Sequence, residues 1–293
     1  MISVLILTKD EEQDLPACLA SVAWCDDIHV LDSFSQDQTV DIAQRAGACV
    51  TQRIFDNYAA QRNAALLQIP FKHSWILILD ADEQIPAFMK AVLEKAVLAA
   101  PDDVAAFRLR RRDFMGRTWL KHAQVSPYYI RLLRQGHGSY HREINEVLQI
   151  DGTVQELEGY FDHFPFSKGM QHWLARHNQY SLMEAQRWIA ENQGIIKFSL
   201  VKALLSKDFH ERRFHQKGLF YKLPARPLLK WLYIMFWRRG MLDGSAGFTY
   251  ATLQAIYEYF IVLKSQELLN RQPHRQIKPL DALPDAGILL TSA

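Results

Sequence analysis

Two aspartates that follow an uninterrupted apolar segment are the residues best suited to chemistry. Residues 75–79 read Trp-Ile-Leu-Ile-Leu, and Asp80, Ala81, Asp82 and Glu83 come directly after them. Such a run predicts a strand buried on both faces, as in a parallel sheet, where ligands bind beyond the carboxyl ends of the strands. Alternate side chains of an extended chain point the same way, so the two aspartates can converge. Close carboxylates repel unless a cation lies between them, which suits Mg²⁺ or Mn²⁺; the alternative is a solvated acidic loop.

The elements that must position these carboxylates alternate along the first third of the chain. Strands are predicted at residues 2–7, 28–31, 48–52 and 75–79, and helices at 14–22, 39–46, 58–67 and 86–99. Asp14 is predicted to cap its helix, and Gly47 to end the second one. Repeated strand–helix units predict an α/β fold with a mostly parallel, Rossmann-like sheet flanked by helices. Beyond residue 104, strands are predicted at 105–110 and 128–133 and helices at 170–193 and 248–269.

Further polar residues follow the first two predicted strands. Thr8, Asp10 and Glu12 follow the first strand and suit a nucleotide site, although a charged lead into a helix is the alternative. Asp32 ends the second strand, where dinucleotide-binding sheets place an acid that bonds the ribose. No Gly-x-Gly-x-x-Gly follows the first strand, so a classical NAD site is not expected. The serines, aspartate and threonine at 33–39 suit a polar turn, and for positions 35, 37 and 39 we favour that interpretation.

Three other groups of residues have both a chemical and a structural interpretation. Arg62, on the helix before the fourth strand, suits a phosphate contact or an exposed helix surface. A carboxylate in residues 141–146 suits a general base, with exposed hairpin charges as the alternative. His172 and His177 are five residues apart, off the i,i+4 face that a zinc pair needs, so packing is favoured over metal binding.

The bulk composition is that of an ordinary globular protein, with an apolar fraction of 49% and a charged fraction of 23%. Three cysteines do not make a disulfide framework, and a reducing cytoplasm is the expected location. Residues 1–7 lack the basic start of a signal peptide, and no uncharged run reaches the ~18 residues of a membrane span.

Basic and aromatic residues are concentrated in one stretch. Residues 197–239 contain eleven Lys/Arg and two acidic residues, for a charge of +9, and the rest of the chain carries 23 − 30 = −7. Within this stretch, residues 227–239 are too short to span a bilayer and suit a helix lying in the membrane interface. A buried helix with flanking charges is the alternative, and the same positive field suits phosphate groups.

Taken in order, these motifs resemble glycosyltransferase family 2, the inverting class with the GT-A fold. The resemblance rests on residues 8–12 (TKDEE), 32–39 (DSFSQDQT), 62–66 (RNAAL) and 75–83 (WILILDADE). The family usually has Asn where this chain has Asp10. The carboxyl-terminal half resembles the branch that serves lipopolysaccharide core and surface polysaccharide synthesis, through residues 173–185 and 239–248.

The resemblance implies a role for each matching residue. Thr8, Asp10, Glu12 and Asp32 would line the nucleotide, and Arg62 would approach it or its phosphates. Asp80 would contact the ribose or the metal, and Asp82 would ligate Mg²⁺ or Mn²⁺. Glu146 is the first choice for the base, because Asn145-Glu146 stands where relatives show His-Glu. Glu143 is the alternative, because His141-Arg142-Glu143 can be aligned to the same pattern.

The resemblance also implies the organisation and the partners of the protein. Residues 1–165 would form the nucleotide-sugar-binding catalytic domain, 166–271 a helical acceptor and membrane-associated extension, and 272–293 a poorly ordered tail. The expected partners are a nucleotide-sugar donor, a lipid-linked or lipopolysaccharide glycan acceptor and the inner leaflet of the cytoplasmic membrane, with no nucleic acid.

Three other functions compete with this interpretation. One is a nucleotidyltransferase, which also uses an Asp-bound metal but normally has a Gly-rich phosphate loop after the first strand. Another is a nucleic-acid-binding module that uses the basic stretch at 197–239. The third is a non-catalytic scaffold, which the Asp80 and Asp82 pair disfavours.

Overall fold

The computed structural model describes residues 1–141, 147–193, 199–206, 212, 215, 216, 220, 223 and 225–270. These residues form two compact units. The first comprises Met1–Met170 together with Leu242–Ala246, and the second comprises the described residues of Gln171–Met241 and those from Gly247 onward. The division between the units falls after residue 170, whereas the sequence predicts a boundary after residue 165. The predicted tail from residue 272 lies outside the described residues.

The first unit is built on a sheet whose strand order is β3-β2-β1-β4-β8-β6-β11-β5, with β7 paired to β6. Strands β1 to β4 are mutually parallel where they pair, β8 runs antiparallel to both β4 and β6, and β6 and β11 are parallel. The strands are β1 (Ile2–Thr8), β2 (Ile28–Asp32), β3 (Cys49–Gln52), β4 (Trp75–Asp80), β5 (Glu83–Gln84), β6 (Val104–Met115), β7 (Thr118–Trp119), β8 (Tyr128–Arg134), β9 (Gly138–His141), β10 (Val147–Ile150) and β11 (Thr153–His163). A separate hairpin joins β9 and β10.

Helices cover this sheet because its central strands are apolar on both faces. Strands β1 and β4 are almost wholly buried, and one cluster of core side chains lies on each face. The helices of this unit are α1 (Leu15–Ser21), α2 (Thr39–Arg45), α3 (Tyr58–Gln68) and α4 (Met89–Ala99). The alternating strands and helices confirm the predicted α/β fold with a mainly parallel sheet.

The register of the parallel strands brings their carboxyl ends together. Thr8 of β1 pairs with Asp32 of β2, and Leu7 of β1 pairs with Asp80 of β4. All three strands therefore end at one edge, where loops 8–12, 33–39 and 80–83 begin.

Some local predictions need correction. Helix α4 begins at Met89 and not at residue 86, because Glu83–Gln84 pairs with β11 and the Met89 amide donates to the Pro86 carbonyl in a turn. Asp14 precedes α1 but makes no capping bond with its side chain. Its carboxylate instead accepts a hydrogen bond of 2.8 Å from Ser167 Oγ. Gly47 follows α2 with a φ of 80°, as a helix stop requires.

The second unit is helical. It is formed mainly by α5 (Gly169–Gln193), α6 (Leu200–Leu205), a short helix Arg226–Leu232 that continues as a π-helix Tyr233–Trp237, and the carboxyl-terminal helix Gly244–Asn270. The His177 ring stacks on Trp173 at 3.5 Å between centroids and meets Tyr257 edge-on at 5.2 Å. This contact agrees with packing as the role of His177. Arg226 and Glu258 form a buried ion pair of 3.2 Å. None of the described helices is long and apolar enough to cross a membrane.

Candidate active site

Asp32 holds the ends of the first three strands together. Its buried carboxylate accepts hydrogen bonds from Thr8 Oγ1 at 3.0 Å, Gln52 Nε2 at 3.0 Å and the Ser35 amide at 2.9 Å. Ser35 Oγ also donates to it. Four donors compensate the desolvation of a buried carboxylate, so Asp32 gives this part of the edge a fixed geometry.

The loops after β1 and β2 are bonded to each other. The Asp10 amide donates to Ser35 Oγ at 2.8 Å, and the Asp10 carboxylate accepts from the Gln36 amide at 2.7 Å. Glu12 accepts from the Gln38 amide at 3.2 Å. Asp10 has a φ of 52°, in the left-handed region that Asn and Asp tolerate best among non-glycine residues. The family that the motifs resemble usually has Asn at this position. Asp10 suits the same left-handed turn, because Asp and Asn both tolerate a positive φ.

Serine, aspartate and threonine side chains complete the second loop. Thr39 Oγ1 accepts from the Glu11 amide at 2.7 Å, and Asp37 accepts from the Thr39 amide at 3.0 Å and from the Glu12 amide at 3.1 Å. These bonds agree with the turn interpretation of positions 35, 37 and 39.

Asp80 lies between two arginines. Its Oδ1 accepts from Arg62 Nη2 at 2.8 Å and its Oδ2 from Arg131 Nη2 at 3.1 Å. Desolvation opposes ionisation of Asp80, but the charges of Arg62 and Arg131 outweigh it and hold the pKa of this carboxyl well below its usual range. Asp80 is therefore a carboxylate with both oxygens already engaged by guanidinium groups.

Glu83 completes this charged group beneath the surface. It is 1% exposed, forms an ion pair with Arg131, and accepts from the Asp80 amide at 3.0 Å. Burial, with smaller contributions from Asp80 and Asp82, raises the pKa of Glu83 to about 7 against the opposing effect of Arg131. Arg131 lies on β8, a strand that the family motifs do not include, and its guanidinium thus bridges the carboxylates of Asp80 and Glu83.

Asp82 faces a histidine at the carboxyl end of β11. Its Oδ2 lies 3.2 Å from His163 Nε2, and His163 Nδ1 lies 2.5 Å from Asp113 Oδ1. Burial alone would lower the pKa of His163, but the two carboxylates raise it to about 9. The imidazole is therefore protonated, with its Nε2–H facing Asp82 and its Nδ1–H facing Asp113.

More carboxylates lie near Asp82. Lys168 Nζ donates to Glu11 Oε1 and to the Asp10 carbonyl, both at 2.7 Å. Burial raises the pKa of Glu11 to about 7 despite Lys168, and Asp82 and Asp14 contribute to the increase. This edge is rich in negative charge, and Lys168 and His163 offset part of it through their contacts with Glu11 and Asp82.

The fit of this edge to a divalent ion rests on the Asp82 carboxylate. Among the described residues, no group of three or more His, Cys, Asp and Glu side chains is placed to hold a metal by itself. The protonated His163, whose Nε2 lies 3.2 Å from Asp82, orients this carboxylate and is not a metal ligand. Mg²⁺ is commonly bound by one or two carboxylates plus substrate phosphates and waters, so Asp82 suits an ion whose other ligands come from the substrate.

The structure brings together most of the site residues predicted from the sequence. Thr8, Asp10, Glu12 and Asp32 form one bonded group, and Arg62, Asp80 and Asp82 stand beside the end of β4. Glu143 and Glu146, the two candidates for the base, lie outside the described residues.

Sequence reasoning missed Arg131, His163 and Lys168 as parts of this edge. An arginine flanked by apolar residues inside the predicted strand at 128–133 was the available signal for Arg131, because a buried arginine needs a carboxylate partner. His163 and Lys168 had no comparable signal.

The fold and this edge together define a glycosyltransferase. The chain belongs to glycosyl transferase family 2, whose model matches residues 3–165. This assignment confirms the resemblance and favours glycosyl transfer over the nucleotidyltransferase and nucleic-acid alternatives.

The alignments with two relatives are longer than the segment that the family model matches. The lipopolysaccharide core biosynthesis glycosyltransferase LpsC of Rhizobium meliloti is 26% identical over 277 residues, which cover 90% of this chain and 91% of LpsC. An uncharacterized glycosyltransferase of Rickettsia typhi is 25% identical over 234 residues, 74% of this chain and 79% of that protein. A crystal structure of S. aureus TarS, residues 1–349, aligns over 94% of this chain and 93% of that one, at 14% identity and a TM-score of 0.45.

Proposed function

We propose that this protein is an inverting, metal-assisted glycosyltransferase that moves a sugar from a nucleotide-sugar donor to a hydroxyl of a lipid-linked or lipopolysaccharide core glycan. The observation that carries the proposal is the edge where β1, β2 and β4 end, with Asp32 and Asp80 at strand ends and Asp82 two residues beyond Asp80. Carboxylates there suit the hydroxyls of a nucleoside and the cation that accompanies a diphosphate.

The donor site in this proposal is divided between two groups of residues. The nucleoside is lined by Thr8, Asp10, Glu12 and Asp32. The hydrogen bonds of these residues join the loops after β1 and β2 and keep both loops in place before the donor binds. Arg62 approaches the nucleotide or its phosphates. Asp80 accepts hydrogen bonds from the donor, since two guanidinium groups already neutralise its charge and make it a poor metal ligand.

Asp82 is the residue that would hold Mg²⁺ or Mn²⁺, and His163 would orient its carboxylate. A bound ion would neutralise charge on the departing diphosphate. The protein's own contribution is to hold Asp82: Asp113 anchors the far side of His163, and the Asp82 carbonyl accepts from the Phe164 amide at 2.9 Å. The aspartate is thus fixed through both its side chain and its backbone.

The chemical step requires a base on the acceptor side. The base takes the proton of the acceptor hydroxyl as that oxygen forms a bond to the anomeric carbon. The bond from that carbon to the diphosphate breaks with its electron pair, which leaves a nucleoside diphosphate and an inverted anomeric centre. Glu146 is our first choice for the base and Glu143 the second. A well-placed general base typically contributes ~10²–10⁴-fold in rate.

A group of exposed aromatic side chains in the second unit supports the proposal of a lipid-linked acceptor. Tyr233, Phe236 and Trp237 are 47%, 56% and 81% exposed, and Arg238 and Arg239 follow them directly. Aromatic rings at headgroup depth beside cations are typical of helices that lie on anionic bilayers. We infer a peripheral association with the inner face of the cytoplasmic membrane.

A thermal-shift screen of nucleotide sugars and free nucleotides, with and without Mn²⁺, tests the donor proposal. A ligand that binds the native state raises the melting temperature according to its affinity and concentration. The expected result is a Mn²⁺-dependent shift with one nucleotide class, followed by transfer from that donor to lipopolysaccharide acceptors. The absence of a shift with every donor, on protein that refolds reversibly, would contradict the proposal.

A further inference from the structure

One helix residue is bonded to a distant hairpin through both ends of its side-chain amide. Asn63 Nδ2 donates to the Tyr140 carbonyl at 2.8 Å, and Asn63 Oδ1 accepts from the Tyr140 amide at 2.7 Å. The two residues are 77 apart in sequence. Because one amide satisfies both backbone groups of Tyr140, it fixes that residue against α3 as a neighbouring strand would.

The Tyr140 side chain returns to the same helix at the preceding residue. The Arg62 guanidinium lies over the Tyr140 ring, with Cζ 5.3 Å from the ring centroid. Tyr140 is 7% exposed and Arg62 is 6% exposed, so water screens this contact little. Consecutive residues of α3 therefore hold one tyrosine, Asn63 by its backbone and Arg62 by its ring.

Arg62 in turn holds Asp80 through a bond of 2.8 Å from Nη2 to Oδ1. An arginine side chain has four flexible torsions, and fixing them costs rotamer entropy. A planar ring that packs against the guanidinium restricts those torsions before any ligand binds. Without it, Arg62 would share the Asp80 carboxylate with Arg131 in more than one arrangement.

We propose that Tyr140 is a positioning residue for Asp80, acting through Arg62, and that Asn63 holds Tyr140 in place. The inference rests on the proposed function only in assigning a donor contact to Asp80. The contacts themselves are independent of it. The chain of contacts makes Tyr140 of β9 a support for the donor side of the edge.

The first experiment measures nucleotide binding. UDP, GDP, CDP and ADP are each tested with Mn²⁺ by thermal shift, and the one that stabilises the wild-type protein most is used for calorimetry. Tyr140→Leu keeps an apolar side chain but removes the ring, and we expect it to weaken binding about tenfold, the scale of a desolvated cation–π contact. Asn63→Ala should weaken binding in the same direction. The double variant should bind no worse than Tyr140→Leu alone, because both act through one residue.

Two further variants separate positioning from general destabilisation. Asn57→Ala removes the cap of the same helix, where Asn57 Oδ1 accepts from the Ala60 amide at 2.8 Å, and should lower the melting temperature while leaving binding within about twofold. Tyr140→Phe keeps the ring and should retain most of the affinity. Wild-type affinity in Tyr140→Leu, or a loss in Asn57→Ala equal to that in Asn63→Ala, would overturn the proposal.

A ligand-free measurement distinguishes failure of this inference from failure of the proposed function. The Tyr140 ring current should shift the Arg62 Nε–H resonance in a ¹H–¹⁵N spectrum, and Tyr140→Leu should remove that shift while Asn57→Ala keeps it. If the wild-type protein binds none of the four nucleotides, the donor proposal fails while this spectrum still tests the contact. An Arg62 resonance that is unchanged in Tyr140→Leu would overturn the positioning role.

Discussion

His163 Nε2 lies 3.2 Å from Asp82 Oδ2, and this contact joins β11 to the loop that follows β4. The same ring reaches Asp113 on β6 through its other nitrogen, at 2.5 Å. The second aspartate of the motif is therefore held by a histidine that is itself held by a buried carboxylate. Arrangements of this kind, in which an outer residue orients an inner one, are typical of metal sites.

Replacement of Asp82 by asparagine should abolish metal-dependent transfer. The amide cannot supply the charge that a divalent ion requires, so we expect at least about a hundredfold loss in kcat/KM and a higher Mn²⁺ requirement. Activity is measured across a Mn²⁺ titration after treatment with EDTA. Asp113→Asn removes the charge of the carboxylate that holds His163 Nδ1 and should cost less, about tenfold. Full Mn²⁺-dependent activity in Asp82→Asn would disprove the ligand assignment.

Glu146→Gln should remove the general base while leaving donor binding intact. We expect kcat to fall by about 10²–10⁴-fold, because the acceptor hydroxyl would lose its proton acceptor. Binding of the nucleotide is measured by calorimetry beside the rate. Glu143→Gln is the matched control in the same segment and should keep most of its activity. The reverse result, with Glu143→Gln inactive and Glu146→Gln active, would transfer the role to Glu143.

Glu11→Gln should stabilise the protein at alkaline pH relative to the wild type. The pKa of Glu11 rises from 4.5 to about 7 on folding, so the native state binds its proton more tightly than the unfolded chain. Stability from this group is present below pH 4.5 and is lost as the pH rises through 7. The variant does not undergo this loss. We therefore expect its free energy of unfolding, relative to that of the wild type, to be higher at pH 8 than at pH 4.5 by on the order of 2 kcal/mol, allowing for a side chain that is 20% exposed.

The measurement is urea unfolding from pH 4.5 to 8.5 in EDTA, so that bound metal does not contribute. Asp26→Asn provides a contrast of opposite sign. Hydrogen bonds from Lys72 and His73 lower the pKa of Asp26 to about 2, so its stabilising contribution is present at neutral pH and lost in acid. Asp26→Asn should therefore be less stable than the wild type by an amount that stays nearly constant from pH 4.5 to 8.5, because the loss occurs only below the ordinary pKa of 3.8. A stability difference for Glu11→Gln that does not change with pH would contradict the assignment.

Thr8→Val should destabilise the sheet edge without changing its shape. Valine replaces the hydroxyl that donates to Asp32 at 3.0 Å and leaves a buried carboxylate with one donor fewer. We expect a loss of about 1–2 kcal/mol in the free energy of unfolding, together with weaker nucleotide binding. Thr118→Val, at an exposed position of β7, is the matched control and should lie within about 0.5 kcal/mol of the wild type. Equal effects from the two substitutions would show that the Asp32 bond contributes little.

Trp237→Ala should weaken binding to anionic vesicles. The indole is 81% exposed beside Arg238 and Arg239, so its removal should cost several-fold in affinity for vesicles of phosphatidylglycerol and phosphatidylethanolamine at low salt. Sedimentation with the vesicles measures the bound fraction. Leu98→Ala removes another exposed apolar side chain, on α4, and should have no effect. Wild-type protein that stays in the supernatant at low salt would refute membrane association.

The local errors have a common cause. The start of α4 was predicted three residues early because a proline commonly opens a helix, yet the pairing of Glu83–Gln84 with β11 keeps that segment extended. Asp14 was predicted as a cap because of its residue type, yet Ser167 reaches its carboxylate from 153 residues away. In both cases a tertiary contact outweighed a local preference, as is common for weak sequence signals.

The sequence by itself determined the alternating strands and helices, the family, and the placement of Asp32, Asp80 and Asp82 at strand ends. Apolar runs and turn residues are local signals, and parallel strands can only end at one edge. Only the tertiary structure decided which partners those aspartates have. Arg131 and His163 come from β8 and β11 in the mixed half of the sheet, and their distance from Asp80 and Asp82 depends on strand order and register, which local sequence does not encode.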